Sequence, residues 1–328
     1  GLGDVYKRQA SGTLAPALQT ALDSELAFLQ ALCGLTLDEL LAAAGSATGQ
    51  AQELAFLPRW ETSSIDLPAA YAQRMSEVGK KGYGMFAKHH VFTVENGHLV
   101  PVKYPDPQRL SELPGYEKER EKVIDNTKAL LAGMPANNVL LYGDAGTGKS
   151  SAVKAIANEF APEGLRLVEV KKNQLYQIPD LMDKLAANPL KFILFIDDLA
   201  FDQDDKTYSA LKTILEGGLE RRPANVAVYA TSNRRRLVRQ TFSDRAGDEV
   251  DASETIQEKT SLSDRFGLRI PYLALNQAEF LELVEGMAEQ VGITLDRDSL
   301  RAEAVKWEMR NPGRTPRTAK QFIASLSL

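Results

Sequence analysis

Cysteine is almost absent: Cys33 stands alone in 328 residues. A disulfide within the chain is therefore excluded, and nothing points to an oxidising compartment. Cys33 sits among Leu and Ala at helical spacing, where a small buried apolar residue is expected rather than a nucleophile. Histidine is nearly as scarce, with three copies. The adjacent His89 and His90, read as part of a strand, would point to opposite faces and could not chelate one metal together. Long apolar runs are missing as well. None approaches the roughly 18 residues of a membrane-spanning helix, so no membrane partner is expected. No basic segment followed by an apolar one opens the chain, which makes cytoplasm the expected location. Basic charge is not in excess either: the net charge of −5 offers no global field for nucleic acid or anionic lipid.

What is there is an ordinary globular composition, 44% hydrophobic and 25% charged. The segment Asp4-Val5-Tyr6-Lys7-Arg8-Gln9 reads as the translation of a transposase end used in sequencing libraries. Residues 1–9 are therefore set aside as a sequencing artefact. Residues 10–109 read as an N-terminal region with leucines and alanines at helical spacing, followed by a hairpin. The hairpin signal is Val91, Thr93 and Glu95 leading into Asn96-Gly97 and then His98. Pro101, Pro105 and Pro107 form a stiff connector. From residue 110 helix and strand alternate, the mark of a parallel α/β sheet. Strands are expected at 139–142, 165–170, 192–196, 226–230 and 268–271. Residues 276–328 carry only helical patterns. The polar stretch 240–261 reads as a mobile loop.

Chemistry is concentrated in a few places. Gly143-Asp144-Ala145-Gly146-Thr147-Gly148-Lys149-Ser150 fits the P-loop pattern, with an apolar strand before it and a helical stretch beginning at Ser151 after it. The glycines let backbone N–H groups turn inward around phosphates at a helix N-terminus. Lys149 is placed to reach the β- and γ-phosphates, and Ser150 to offer a hydroxyl to Mg²⁺. Residues 192–196 form an apolar strand ending in Asp197-Asp198. Beside a P-loop this pair assigns Asp197 to the Mg²⁺ shell and Asp198 to the general base. That base is more often Glu, and the Asp side chain is one methylene shorter. Asp202, Asp204 and Asp205 are the reserve carboxylates, although a solvated acidic loop is the plainer reading of them. Residues 226–230 run into Thr231-Ser232-Asn233, where Thr231 or Asn233 could orient water or the γ-phosphate.

The order of these motifs, followed by Ser263-Asp264-Arg265-Phe266-Gly267 and a helical C-terminal region, resembles an AAA+ ATPase. More closely, the chain is similar to a bacterial AAA+ family labelled as a domain of unknown function. Leu113-Pro114-Gly115-Tyr116-Glu117, the run 135–143, Leu215-Glu216-Gly217-Gly218-Leu219-Glu220 and Tyr229-Ala230-Thr231-Ser232-Asn233-Arg234-Arg235 carry that match. The resemblance implies a P-loop NTPase sheet in the order 5-1-4-3-2, an ATP-binding core over 110–275 and a helical lid over 276–328. It implies Asn233 as first sensor, Arg265 as an arginine finger completing a neighbouring subunit's site, and Arg317 as second sensor. Gly115 and Tyr116 would line the adenine pocket, with ATP and Mg²⁺ as ligands. Pro316 and the nearby Arg314 leave the register of Arg317 open by one turn. A homo-oligomer working on a protein client is the expected assembly. Nucleic acid is the less favoured partner, because Arg234-Arg235-Arg236 lacks interleaved aromatics.

Overall fold

The computed structural model describes residues 15–48, 56, 58–62, 65–200, 210–212, 214–215, 223–233, 262–311 and 313–326. It divides into two units, residues 1–83 and 84–328. The expected loop 240–261, the basic run 234–236 and the reserve carboxylates Asp202, Asp204 and Asp205 lie outside the described residues.

The first unit contains helices α1 (Pro16–Gly34), α2 (Leu37–Thr48) and α3 (Leu67–Ser76). Proline in the first turn of α1 lacks only an N–H that the helix would leave unpaired. A reciprocal cap starts α2: Glu39 N–H donates to Thr36 Oγ1 at 3.2 Å, and Thr36 N–H donates to the Glu39 carboxylate at 2.8 Å. Asp66 caps α3 by accepting the Ala69 N–H at 2.9 Å. Leu22 and Leu26, one turn apart, are buried. No single helix among the described residues is long and apolar enough to cross a membrane, and α1 and α2 meet at a 100° bend.

The second unit is built on one sheet. Its elements are β1 (Val91–Glu95), β2 (His98–Pro101), α4 (Glu117–Leu131), β3 (Val139–Gly143), α5 (Lys149–Phe160), β4 (Leu165–Glu169), α6 (Ile178–Ala186), β5 (Lys191–Ile196), β6 (Val226–Ser232) and β7 (Leu268–Tyr272). A lid of α7 (Gln277–Val291), α8 (Arg297–Arg310) and α9 (Pro316–Leu326) follows. The strand order is β2-β1-β4-β5-β6-β3-β7. Among the described residues only the β1–β2 pair is antiparallel. Asn96 and Gly97 both have positive φ, as a tight two-residue hairpin turn requires.

Two expectations are corrected here. The boundary placed at 109/110 falls at 83/84, because the hairpin belongs to the sheet. Strand β1 pairs in parallel with β4, Phe92 opposite Val168, and Phe86 packs on Phe92 and Phe192 at ring distances of 5.0 and 5.5 Å. An isolated hairpin is marginal in water, and joining the sheet edge pairs its backbone and buries its apolar face. His89 and His90 also precede the strand rather than occupy it. His90 Nε2 lies 3.0 Å from Asn158 Oδ1, while Asn158 Nδ2 donates to the carbonyls of Asp106 and Gln108. This side chain ties the proline-rich connector to α5.

Alternation along the strands divides the core into two layers. Leu140, Leu194, Ile196, Val228 and Ala230 face one way, onto Ile178, Leu181 and Leu185 of α6. Val139, Leu141, Ile193, Phe195 and Tyr229 face the other, onto α4 and α5. Beneath α4, Tyr229 Oη is bonded by Asn126 Nδ2 at 3.0 Å and lies 2.8 Å from Thr127 Oγ1, so the buried phenol is satisfied. The lid has its own core around Phe280, Val284, Ala304, Ala319 and Phe322. Its first helix opens on a capping box between Asn276 and Glu279.

Candidate functional site

Strand β3 ends on Gly143, whose φ is +135°. A Cβ there would lie 2.2 Å from Tyr272 O, so only glycine lets β7 run against the start of the loop. Gly146 and Gly148, at φ +80° and +89°, turn the chain into α5, which begins at Lys149. Residues 145–151 line a cavity of about 500 Å³ together with Asp197, Asp198, Asn233 and Arg317.

Lys149 is buried, and its ammonium donates to Asp144 O at 2.7 Å and Gly143 O at 3.3 Å. Burial lowers its pKa, opposed by the negative charges of Asp144, Asp198 and Asp197. Across the mouth, Ser150 Oγ donates to Asp197 Oδ1 at 2.6 Å. Asp198 adopts a left-handed backbone, φ +51°, which Asp tolerates better than bulkier residues. Its carboxylate accepts from Asn233 Nδ2 at 2.8 Å. The base and the first sensor expected from sequence therefore touch each other.

The two arginines near the start of α9 take different places. Arg317 lines the cavity and its N–H donates to Gly146 O at 3.2 Å, whereas Arg314 Nε pairs with Glu308 at 2.5 Å. A Cβ on Gly146 would meet Arg317 Cβ at 3.1 Å, so the lid helix packs directly on the loop.

Other expected residues stand elsewhere. Asp144 contributes its backbone to the loop, but its carboxylate turns away and accepts the Ala274 N–H at 2.7 Å. Gly115 and Tyr116 line a neighbouring cleft rather than this cavity. Tyr116 stacks on Tyr272 at 5.0 Å and donates to Leu273 O at 2.5 Å, and it is Tyr272 that lines the cavity. Arg265 is not among the cavity-lining residues either.

Arg120, Tyr272, Lys320 and Gln321 line the cavity without having been singled out from sequence. Helical spacing could have found two of them, because Lys320 and Gln321 stand three and four residues beyond Arg317 on α9. Arg120 had no such signal. Its guanidinium is buried and donates to Gly115 O, which looks like a purely structural role until the cavity is seen.

The donor set suits Mg²⁺. A serine hydroxyl and a carboxylate are hard oxygen ligands, and this ion is commonly held by one or two carboxylates plus substrate phosphates. Among the described residues no cluster of three or more His, Cys, Asp or Glu offers an all-protein cage.

Strand β3 lies between β6 and β7, with β5 and β4 beyond β6. That order brings the glycine loop after β3 beside the carboxylates after β5 and the polar end of β6, which is the arrangement of an AAA+ P-loop NTPase. The chain belongs to the family described as "Protein of unknown function (DUF815)", whose profile matches residues 86–327. By sequence it is similar to a protein of Methanocaldococcus jannaschii described as a 26S proteasome regulatory subunit homolog. That relative is 24% identical over 298 residues, covering 77% of each chain. Solved structures with a likeness include AMPPCP-bound DnaA from Aquifex aeolicus, at TM-score 0.45 and 16% identity over 69% of this chain and 67% of that one. RuvB from Thermotoga maritima is another, at TM-score 0.41 and 17% identity over 66% and 63%. The match spans less than two thirds of the RuvB chain.

Proposed function

We propose that this chain binds Mg-ATP and hydrolyses it, coupling turnover to movement between core and lid in a homo-oligomer that remodels a protein client. The observation that carries the reading is the 2.6 Å bond from Ser150 Oγ to Asp197 Oδ1, which joins two residues 47 apart at the P-loop mouth. Ser150 and Asp197 would hold Mg²⁺, which supplies charge neutralisation for phosphoryl transfer. Lys149 offers its ammonium, and the inward-turned N–H groups of the loop offer further donors to phosphate oxygens. Asp198 is the carboxylate assigned to take a proton from the attacking water, and Asn233 orients it. Arg317 brings positive charge from the lid to the same cavity, so lid position and phosphate binding depend on each other.

A second reading rests on Asp198 itself. The short carboxylate is already bonded to Asn233 at 2.8 Å, which favours slow hydrolysis and a switch or loader that assembles with a partner in the ATP state. Steady-state phosphate release separates the two: a remodeller shows client-stimulated turnover, and a switch shows nucleotide-dependent assembly with little turnover. Asp198→Asn is expected to keep ATP affinity and to lose hydrolysis, because the amide keeps the shape but takes no proton from water. Phosphate release by the variant at the parental rate would remove Asp198 from the role of base. Proteins retained by this variant in ATP would identify the client.

A further inference from the structure

We infer that Thr231 is a positioning residue that holds both acidic groups of the site, Asp197 and Asp198, in register with the P-loop. The assignment rests on the ATPase reading of this cavity and adds a residue to it. Thr231 is the penultimate residue of β6 and only 2% exposed. Strand β6 lies between β3 and β5, with Thr231 opposite Leu141 on one side and Ala230 opposite Ile196 on the other. The residue after Ala230 therefore stands level with the residue after Ile196, which is Asp197.

The hydrogen bonds fix the direction of each contact. A carboxylate only accepts, so the Thr231 hydroxyl donates its single proton to Asp197 Oδ1, at 2.5 Å. Thr231 Oγ1 in turn accepts the Asp198 N–H at 2.9 Å. Thr231 O also accepts the Leu199 N–H at 2.7 Å. One residue thus binds three consecutive positions of the turn after β5. The Asp198 N–H has one other partner, Asp197 Oδ1, at a longer 3.2 Å. Asp198 is held in the left-handed region with its N–H on Thr231 and its carboxylate on Asn233. Asp197 Oδ1 collects three donors, from Ser150, Thr231 and the Asp198 backbone.

The test compares the full-length parent with Thr231→Val, which keeps the shape and loses the hydroxyl. Thr231→Ser and Thr231→Ala are compared with each other, since both lose the methyl and differ in the hydroxyl alone. Binding of a fluorescent ATP analogue is measured in EDTA, and phosphate release is measured across a Mg²⁺ titration. Thr231→Val should keep the EDTA affinity and need more Mg²⁺ for half-maximal rate. Its kcat should fall about ten- to hundredfold, the scale of one hydrogen bond to a charged group. Thr231→Ser should restore the Mg²⁺ requirement and most of the rate, and Thr231→Ala should not. If Thr231→Val does not fold, the Ser–Ala pair decides alone. Parental kcat and Mg²⁺ requirement in Thr231→Val, or equal impairment of Ser and Ala, overturns the assignment alone. A parent chain that binds no Mg-ATP overturns the ATPase reading and this assignment with it.

Discussion

We propose that nucleotide affinity turns on Lys149. Its ammonium is buried and bonded to loop carbonyls, with Asp197 and Asp198 close enough to favour its charged form. A cation desolvated by the protein interacts strongly with an anion placed beside it, because little water screens the pair. Lys149→Ala is expected to weaken Mg-ATP binding by about a hundredfold or more, the scale of lost charge-assisted bonds. Titration with a fluorescent nucleotide checks this, and near-parental affinity would take Lys149 out of the site. Asp144, its neighbour in the same motif, shows that membership of a pattern does not assign a side chain. Its carboxylate serves Ala274 in the link to the lid.

Within the lid, Glu285 of α7 binds Arg297 and Arg301 of α8. Hydrogen bonds from Arg297 first and Arg301 second hold its carboxyl down from 4.5 to about 2. A depressed acid stabilises the fold above its unfolded pKa and loses that contribution as pH falls through its folded one. The α7–α8 pairing should therefore weaken progressively between pH 4.5 and about 2. Glu285→Gln should flatten that dependence and lower lid stability at neutral pH. Trp307, packed on Phe322 at 5.9 Å, reports on the lid by fluorescence in a Trp60→Phe background. An unchanged pH profile in Glu285→Gln would show that other carboxylates dominate the acid transition.

At the scale of a proposed assembly, the residue to test is Arg265. It follows the helical turn at 262–264, precedes β7 and stands apart from the cavity of its own chain. We propose that Arg265 reaches a neighbouring subunit's phosphates, where such fingers add about 10³–10⁵ in rate. Arg265→Ala and Lys149→Ala subunits, each inactive alone, should recover partial hydrolysis when mixed. Mixed oligomers that form without any recovery would refute action in trans.

Strands and P-loop were legible because their signals are local. An apolar run of five or six residues bounded by turns reads as a buried strand wherever it sits. The glycine spacing of the loop similarly encodes a backbone path within eight residues. The five core strands expected from sequence accordingly recur within a residue or two in the structure. What sequence could not decide depended on contacts between distant segments. The hairpin joined the sheet through β4, more than sixty residues later along the chain. Tyr272, distant in sequence from Tyr116, lines the cavity and stacks on it, while Tyr116 lines the neighbouring cleft. Thr231 was legible as a polar strand end that could orient water or the γ-phosphate, but its bond to Asp197 depended on β5 lying beside β6. Local pattern determined which elements form. Only the packing of β6 between β3 and β5 determined which side chains meet at the loop, since that depends on strand order and register rather than on any single segment.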